Sequence, residues 1–246
     1  MAESTLSIQK SDIDQSIANY IGLTTILANL DTNEWAIIDA ARETGLSRFY
    51  AERDWVMLEP KTTLTTVAAA YEFDLPDDFA ALMGPMHHAA NTGYRTLVTV
   101  GVGDIINFRK NSLDSSIPEY VAISPKTTDG STGQRWEALF YPTPDAAYVL
   151  TYQYTRLAND LTDTYPYPYG GALHRNTIIE ACLAAAETRS NDAIGLHEQR
   201  YQSYLALSIK ADDKTRPSNI GYNGDGPGMS PLYPKTWATY NGSVPT

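Results

Sequence analysis

Alternating hydrophobic and polar positions run through Arg135–Tyr154, on both sides of a Pro-Thr-Pro-Asp break. A two-residue period of aromatic and β-branched residues is typical of β-strands. Because proline cannot donate a ladder hydrogen bond, Pro142 and Pro144 are expected in the connection. The pattern predicts two antiparallel strands around a turn. A lone hairpin is only marginally stable, so further strands are expected; the candidates are Leu64–Phe73, Thr96–Asn107 and Tyr120–Ile123.

A helical period precedes this region. Ser11–Ile21 has apolar residues at helical spacing, with Ser11 as the predicted N-cap and Gly22 as the end. A second helix is predicted from about Thr32 to Ala51, with Asp31 and Glu34 in capping positions and Trp35, Ile38, Leu46 and Phe49 on its apolar stripe. Gly45 lacks a side chain, so the sequence allows a close approach of another helix there.

A second helical pair follows the strands. Helices are predicted over Ala172–Arg189 and from about Ile194 to Ala211, after a proline- and tyrosine-rich connector, Asp160–Gly171. Between the two pairs, Ala80–Thr92 is predicted as a loop or irregular strand. The pattern of Arg95–Phe108 favours a strand pair split at Gly101 and Gly103.

The predicted fold class is therefore α+β. Helical pairs at the N-terminal and C-terminal ends pack together, with an inserted antiparallel β module and a long irregular C-terminal arm. The predicted boundaries are 1–54 for the first helical part, 55–160 for the β module, 161–213 for the second helical part, which forms one helical domain with the first, and 214–246 for the arm.

The C-terminal arm differs in composition from the rest of the chain. Its 33 residues include five glycines and five prolines, without helical or alternating periodicity, and carry a charge of +2 against −13 elsewhere. Aromatic residues on such a segment are typical of anchors that dock into a partner; the candidates are Tyr222, Met229, Leu232, Tyr233, Trp237 and Tyr240. We expect the arm to become ordered on assembly; the alternative is that it packs back on its own subunit.

The net charge of −11 argues against binding that depends on neutralising phosphates. A single cysteine, Cys182, excludes an intrachain disulfide and is predicted to be a buried thiol in an apolar helix. Neither a signal peptide nor a membrane-length apolar run is recognised, so a protein made in a reducing compartment and without membrane association is expected.

Motifs for catalysis or metal binding are not recognised. The adjacent His87 and His88 are expected on opposite strand faces, and His174 and His197 are expected in core or interface hydrogen bonds. The pairs Asp77-Asp78 and Asp212-Asp213 are interpreted as turn and helix-end residues. The sequence thus predicts no catalytic residue, no metal site and no cofactor.

The order of several short motifs over residues 10–213 resembles the head–tail connector (adaptor) proteins of tailed bacteriophages. The motifs are GLSRFY at Gly45–Tyr50, WVMLEP at Trp55–Pro60, YEFDLPDDF at Tyr71–Phe79, PEYVAISP at Pro118–Pro125, FYPTPD at Phe140–Asp145, PYPYGG at Pro166–Gly171 and NDAIGLH at Asn191–His197. The resemblance implies a non-enzymatic virion protein at the head–tail junction, made in the host cytoplasm. It also implies a dodecameric ring that binds the portal protein and downstream tail or nozzle proteins, with DNA passing through the lumen without specific binding, and a C-terminal extension that reaches the portal.

Two other functions remain open at this stage. The 17 tyrosines and four tryptophans are compatible with a tail-associated carbohydrate- or receptor-binding module. A cell-wall hydrolase would use two facing carboxylates, for which Asp77, Asp78 and Glu137 are the candidates.

Overall fold

The computed structural model describes residues 4–23, 26–90, 92–191 and 193–216. Five α-helices lie in these ranges: α1 Lys10–Ile21, α2 Thr32–Ala51, α3 Val102–Asn111, α4 Arg175–Asn191 and α5 Leu196–Asp213. Short 3-10 turns occur at Leu27–Asn29, Val56–Leu58 and Gly171–His174.

The helices from the two ends of the chain share one core. Helix α4 packs against α1, α2 and α5, which explains why its residues Ala181, Cys182 and Ala184 are all buried. At Gly45 of α2, an added Cβ would lie 2.5 Å from the Cα of Cys182. The predicted close approach of another helix at this glycine is therefore confirmed.

A buried ion-pair network ties these helices to the connector. Arg42 of α2 is 2% exposed, and its guanidinium donates to Asp14 of α1 at 2.6 Å and to Asp160 at 3.2 Å. Asp39 lies 2.8 Å from the same guanidinium. Since a buried charge is tolerated only when it is paired, this network fixes α1, α2 and the start of the connector relative to each other.

The helix ends follow the predicted capping chemistry with one exception. Asp31 accepts hydrogen bonds from the backbone N–H groups of Asn33 and Glu34, while Glu34 accepts one from the N–H of Asp31. Gly22 ends α1 with a φ of 80°. The prediction of Ser11 as the α1 N-cap is wrong: the N-cap is Gln9, two residues earlier, because Asp12 accepts from the N–H of Gln9 at 3.1 Å.

In the described part of the chain, nine strands form three small sheets. Their bounds are β1 Lys61–Thr65, β2 Glu72–Asp74, β3 Phe79–His88, β4 Val98–Thr99, β5 Ser115–Ser116, β6 Tyr120–Pro125, β7 Trp136–Tyr141, β8 Thr143–Pro144 and β9 Val149–Arg156. The strand orders are β1-β9-β3, β2-β7-β6-β4 and β5-β8. All pairings are antiparallel except the two-residue parallel ladders β4–β6 and β5–β8.

The predicted hairpin of β7 and β9 is wrong, although both strands exist. Strand β7 pairs with β2 and β6, whereas β9 pairs with β1 and β3. Between them, Thr143–Pro144 pairs with Ser115–Ser116 in the third sheet. The Tyr141–Pro142 bond is cis, and the connection leads from one sheet to the other instead of turning the chain back on itself.

The predicted strand pair at Arg95–Phe108 is also wrong, since only Val98–Thr99 is extended and Val102–Asn111 is helix α3. Asp104 accepts from the N–H of Gly101 at 3.0 Å, which caps the helix start. Ile105 is buried on one face and Phe108 packs there with it. The predicted loop or irregular strand at Ala80–Thr92 is confirmed as β3, whose register shifts twice.

The predicted α+β class is confirmed for the described residues: helical pairs from both ends pack together around an inserted, mainly antiparallel β region. Residues 217–246, most of the predicted arm, lie outside the described residues. The exact domain boundaries stay a prediction. The helical core runs from Ile8 to Leu58 and from Leu161 to Leu205, and the main β core from Leu64 to Tyr154.

Candidate partner-docking site

The last turn of α5 is fastened to the segment that follows α2. Asp212 is 3% exposed, and its Oδ1 accepts a hydrogen bond from the backbone N–H of Val56 at 3.1 Å. Its Oδ2 lies 3.6 Å from the guanidinium of Arg53 and 3.6 Å from that of Arg216. Arg53 also donates to Asp213 at 2.9 Å. A buried carboxylate between two guanidinium groups holds the helix end in place.

Arg216 is the last described residue, and it lies against the same segment. Its guanidinium donates to the backbone carbonyl of Asp54 and lies 3.7 Å from the carboxylate of Glu59. We call the group formed by Arg53, Asp54, Glu59, Asp212 and Arg216 the arm root. The arm root holds the last described residue against the body.

A cleft of about 500 Å³ opens beside the arm root. Its walls come from the second half of α2, the segment after α2 and the chain after β9. Apolar atoms dominate the lining, with Leu46 and Trp55 buried in the floor and Leu157 55% exposed at the rim. Asp54 belongs both to the arm root and to the cleft lining. Such a concave apolar surface is suited to binding aromatic side chains.

Two carboxylates of the cleft can form an ion pair with a cation from outside the described residues. Glu43 and Asp54 are exposed, and no described residue forms an ion pair with either side chain. The other charged lining residues already have partners: Arg53 is in the arm root, Arg156 lies over the ring of Tyr169, and Asp160 binds Arg42. The cleft is thus apolar inside and negative at its edge.

The predicted anchor residues of the arm lie outside the described residues. This applies to Tyr222, Met229, Leu232, Tyr233, Trp237 and Tyr240. What the structure adds to the prediction is the fixed point from which this segment begins and the apolar surface beside it.

The three carboxylates considered for a hydrolase have structural contacts. Asp77 pairs with Arg135, and Asp78 accepts from the hydroxyl of Tyr154 at 2.8 Å. Glu137 lies opposite Asp74 on the neighbouring strand. Burial, and then the negative charges of Glu72 and Asp74, raise the pKa of Glu137.

The histidines have separate environments. Nδ1 of His87 lies 3.1 Å from the hydroxyl of Thr96, while Nε2 of His88 lies 3.3 Å from the carbonyl of Pro118. His197 forms the expected hydrogen bond, with Glu180 at 2.7 Å.

His174 differs from the expectation, because its ring packs against Phe49 and Trp55 and its Nδ1 has no hydrogen-bond partner among the described residues. Burial lowers the pKa of this histidine. Its surroundings are aromatic and not those of a metal ligand.

Cys182 is buried as predicted, and burial raises the pKa of its thiol to about 12. Within the described ranges, no three His, Cys, Asp or Glu side chains are grouped so that they could hold a metal ion. None of the helices described here is long and apolar enough to cross a membrane.

Comparison with known protein families supports one of the functions suggested by the sequence. The family model described as SU10 adaptor protein matches residues 10–223. The chain belongs to this family. The match covers both helical pairs, the whole β region and the arm root, and it confirms the resemblance to phage adaptor proteins. No curated protein matches the chain.

An SU10 adaptor protein is a structural component of a bacteriophage particle. Membership therefore gives this chain a structural adaptor role in the virion and implies contacts with portal and tail proteins. The family is not an enzyme class. The Asp78, Glu137 and histidine contacts described above are compatible with a structural role.

The arm root and its cleft were not predicted from the sequence. The Asp212-Asp213 pair was correctly placed at a helix end, and Arg216 stands four residues after Asp212, a spacing that brings side chains together on a helix. The local sequence pattern does not predict the contacts of Asp212 with Val56 and of Arg216 with Glu59, because these partners lie more than 150 residues away in the chain.

Proposed function

We propose that this adaptor protein is the subunit of a ring that joins the portal to the tail at the head–tail junction of the particle. Residues 217–246 leave the subunit at the arm root and dock on the portal through their aromatic anchors. The observation that carries the proposal is the arm root itself, where Asp212 and Arg216 hold the start of this segment against the body.

The ring has twelve copies, to match a twelvefold portal. Ring closure needs two different lateral surfaces on each subunit, which meet head to tail. Exposed apolar residues suitable for such contacts occur on both parts of the molecule, for example Leu207 on α5 at 59% exposure and Ile106 on α3 at 61%. The isolated protein, or its complex with the portal, should have the mass of a twelve-subunit ring in mass photometry.

The ring lumen forms part of the DNA conduit. The chain has 29 acidic and 18 basic residues, and Arg42, Arg48 and Arg53 are each already paired with carboxylates. Few cations are therefore available to displace the counterions of a duplex, so DNA passes without binding tightly. Tight, salt-sensitive binding of random-sequence duplex at physiological ionic strength would contradict this part of the proposal.

Portal binding is the direct test of the arm. A chain ending at Arg216 keeps the arm root, and it should fold normally but lose binding to purified portal rings. A chain with Trp237→Ala and Tyr233→Ala should lose at least ten-fold in affinity, because buried aromatic residues contribute most to such interfaces. Val244→Ala, beyond the anchors, serves as the control. Normal portal binding by the truncated chain would overturn the docking role of the arm.

A further inference from the structure

The cleft beside the arm root is an apolar surface that no described residue covers, and it adjoins the point where the described chain ends. Asp54 contributes to its lining, and Arg216 donates to the carbonyl of that same residue. The next 30 residues of the chain therefore begin at the edge of the cleft. They include the aromatic stretch Leu232–Tyr240.

We propose that Leu232–Tyr240 of the same chain occupies this cleft in the unassembled subunit and leaves it to dock on the portal. The inference rests on the proposed portal docking of the arm and adds a storage site for it. The cleft thus competes with the portal for the same aromatic residues.

The reach of the arm fits this arrangement. Fifteen residues lie between Arg216 and Leu232, and a glycine-rich chain of this length has a root-mean-square span of roughly 20 Å. Such a tether gives an effective concentration on the order of millimolar. Even a weak interaction, with a dissociation constant of about 0.1 mM, would then keep the cleft about 90% occupied.

The chemistry of the two surfaces is complementary. The lining keeps accessible apolar surface at Tyr50, Ala51 and Leu157. This surface suits the side chains of Tyr233 and Trp237. Lys235 lies between these two aromatic residues in the sequence. The exposed carboxylates of Glu43 and Asp54, which have no ion-pair partner among the described residues, can meet its ammonium group. Pro231 and Pro234 reduce the entropy lost when the segment becomes ordered.

This inference differs from the sequence-based expectation that the arm becomes ordered only on assembly. The sequence shows a segment without its own core but not where it starts on the body. The position of Arg216 at the cleft supplies that information. A tether fixed at the edge of an apolar cleft favours binding in the same chain over binding to a second copy at low concentration.

Disulfide crosslinking tests the inference on the full-length chain. Ser47→Cys places a thiol on an exposed α2 residue of the cleft, and Thr236→Cys or Thr239→Cys places the second thiol between the arm anchors. Cys182 is buried and its thiol is protonated, so it does not interfere. Ser203→Cys, an exposed serine on α5 that is not part of the cleft lining, is the matched control.

The expected result in dilute, unassembled protein is an intrachain disulfide from position 47, formed at least ten-fold faster than from position 203. A disulfide only between two chains would assign the cleft to the arm of a second copy and would overturn the inference. Equal rates from both positions, or no disulfide from position 47, would overturn it as well.

A change at the cleft rim tests the competition with the portal. Leu157→Arg places a charge on a rim residue that is 55% exposed, and Leu113→Arg does so at a residue that is 75% exposed and does not line the cleft. Leu157→Arg should reduce the crosslinking rate from position 47 at least ten-fold. When the cleft is about 90% occupied, only about a tenth of the chains have an arm that is free to bind the portal. The Leu157→Arg variant should therefore also raise the affinity for the portal by up to ten-fold.

Leu113→Arg should leave the crosslinking rate from position 47 and the affinity for the portal unchanged. Loss of the crosslink in Leu157→Arg without any gain in portal affinity would show that the cleft and the portal do not compete. If no chain binds the portal at all, the docking proposal fails, while the crosslinking result still decides whether the arm lies in the cleft.

Discussion

The helical part and the β module achieve their packing in different ways. The helical part has one connected core, built from residues at both ends of the chain and centred on α4. The β module divides its apolar residues between two separate clusters and three sheets, one of which is a two-residue ladder. The arm root belongs to the part of the molecule with the larger core.

The helical part and the β module also differ in how deeply their charged residues are buried. The helical part buries Asp14, Arg42 and Asp212, each at 3% exposure or less. In the β module, the pairs of Lys126 with Asp74 and of Arg135 with Asp77 lie at the surface, and the Arg156–Asp78 pair is only half-buried. Buried pairs specify one arrangement of the helices, whereas surface pairs contribute little. Matched mutations in the helical part and the β module therefore test whether buried pairs contribute more to stability than surface pairs.

The largest effect is expected for Arg42→Met. Among the described residues, it leaves Lys10, at 3.3 Å, as the remaining ion-pair partner of the buried Asp14, and it removes the link to Asp160. Loss of one partner of a buried pair costs about 3–5 kcal/mol in the free energy of unfolding. Denaturant unfolding measures this loss. Lys126→Met, which breaks the surface pair with Asp74, should leave the unfolding midpoint nearly unchanged; equal losses in the two variants would contradict the comparison.

A smaller loss is expected for Gly45→Ala. The added methyl group would overlap the backbone of α4 at Cys182, so the helices must move apart, at a cost of about 1–3 kcal/mol. Gly103→Ala in α3 is the control, because its Cβ meets nothing within 4 Å. That substitution should be neutral or slightly stabilising. Thermal unfolding of both variants gives the comparison, and a stable Gly45→Ala variant would refute close packing at this site.

The smallest effect is a pH dependence caused by His174. Burial lowers its folded pKa, so below the unfolded pKa of about 6.5 the unfolded state binds more protons and the free energy of unfolding falls. His174→Asn should reduce this fall between pH 7.5 and 5.5. The pKa of Glu198 is lowered by its hydrogen bonds with Arg48, so its own effect appears at lower pH. His88→Asn, at a less buried histidine, should change the pH dependence less; an unaltered slope in His174→Asn would contradict the assignment.

The helical part was predictable because its signals are local. Helical spacing and the reciprocal capping of Asp31 and Glu34 identified α2, and Gly45 indicated the helix contact that the structure contains. The N-cap predicted at Ser11 lies two residues earlier, at Gln9, because Asp12 supplies the acceptor for the N–H of Gln9.

The β module was less predictable because the partner of a strand is decided by distant residues. The alternation of β7 and β9 was recognised correctly, but their proximity in the chain suggested a hairpin that does not exist. Each strand instead pairs with strands that come earlier in the chain. Helix α3 was missed because its β-branched residues, Val102, Ile105 and Ile106, are typical of strands. Gly101 and Gly103 suggested a break between two strands, whereas Gly101 stands at the helix start that Asp104 caps.

For the docking site, the sequence predicted the anchor residues but not the arm root, the place on the body where the described chain ends. A stretch of aromatic, proline and glycine residues is visible in composition alone. The arm root joins residues 53–59 to residues 212–216, a contact that only the packing of α5 beside the end of α2 creates. The cleft was not predictable for the same reason, because its lining residues come from parts of the chain that are far apart in the sequence.

Electron cryomicroscopy of the complex with purified portal rings tests most directly whether this adaptor protein binds the portal through residues 217–246. We expect a ring of twelve subunits, with the described body below the portal and the arm of each subunit running from Arg216 to a portal pocket that contains Trp237. A complex in which residues 217–246 make no contact with the portal, or no complex at all, would contradict the proposed docking.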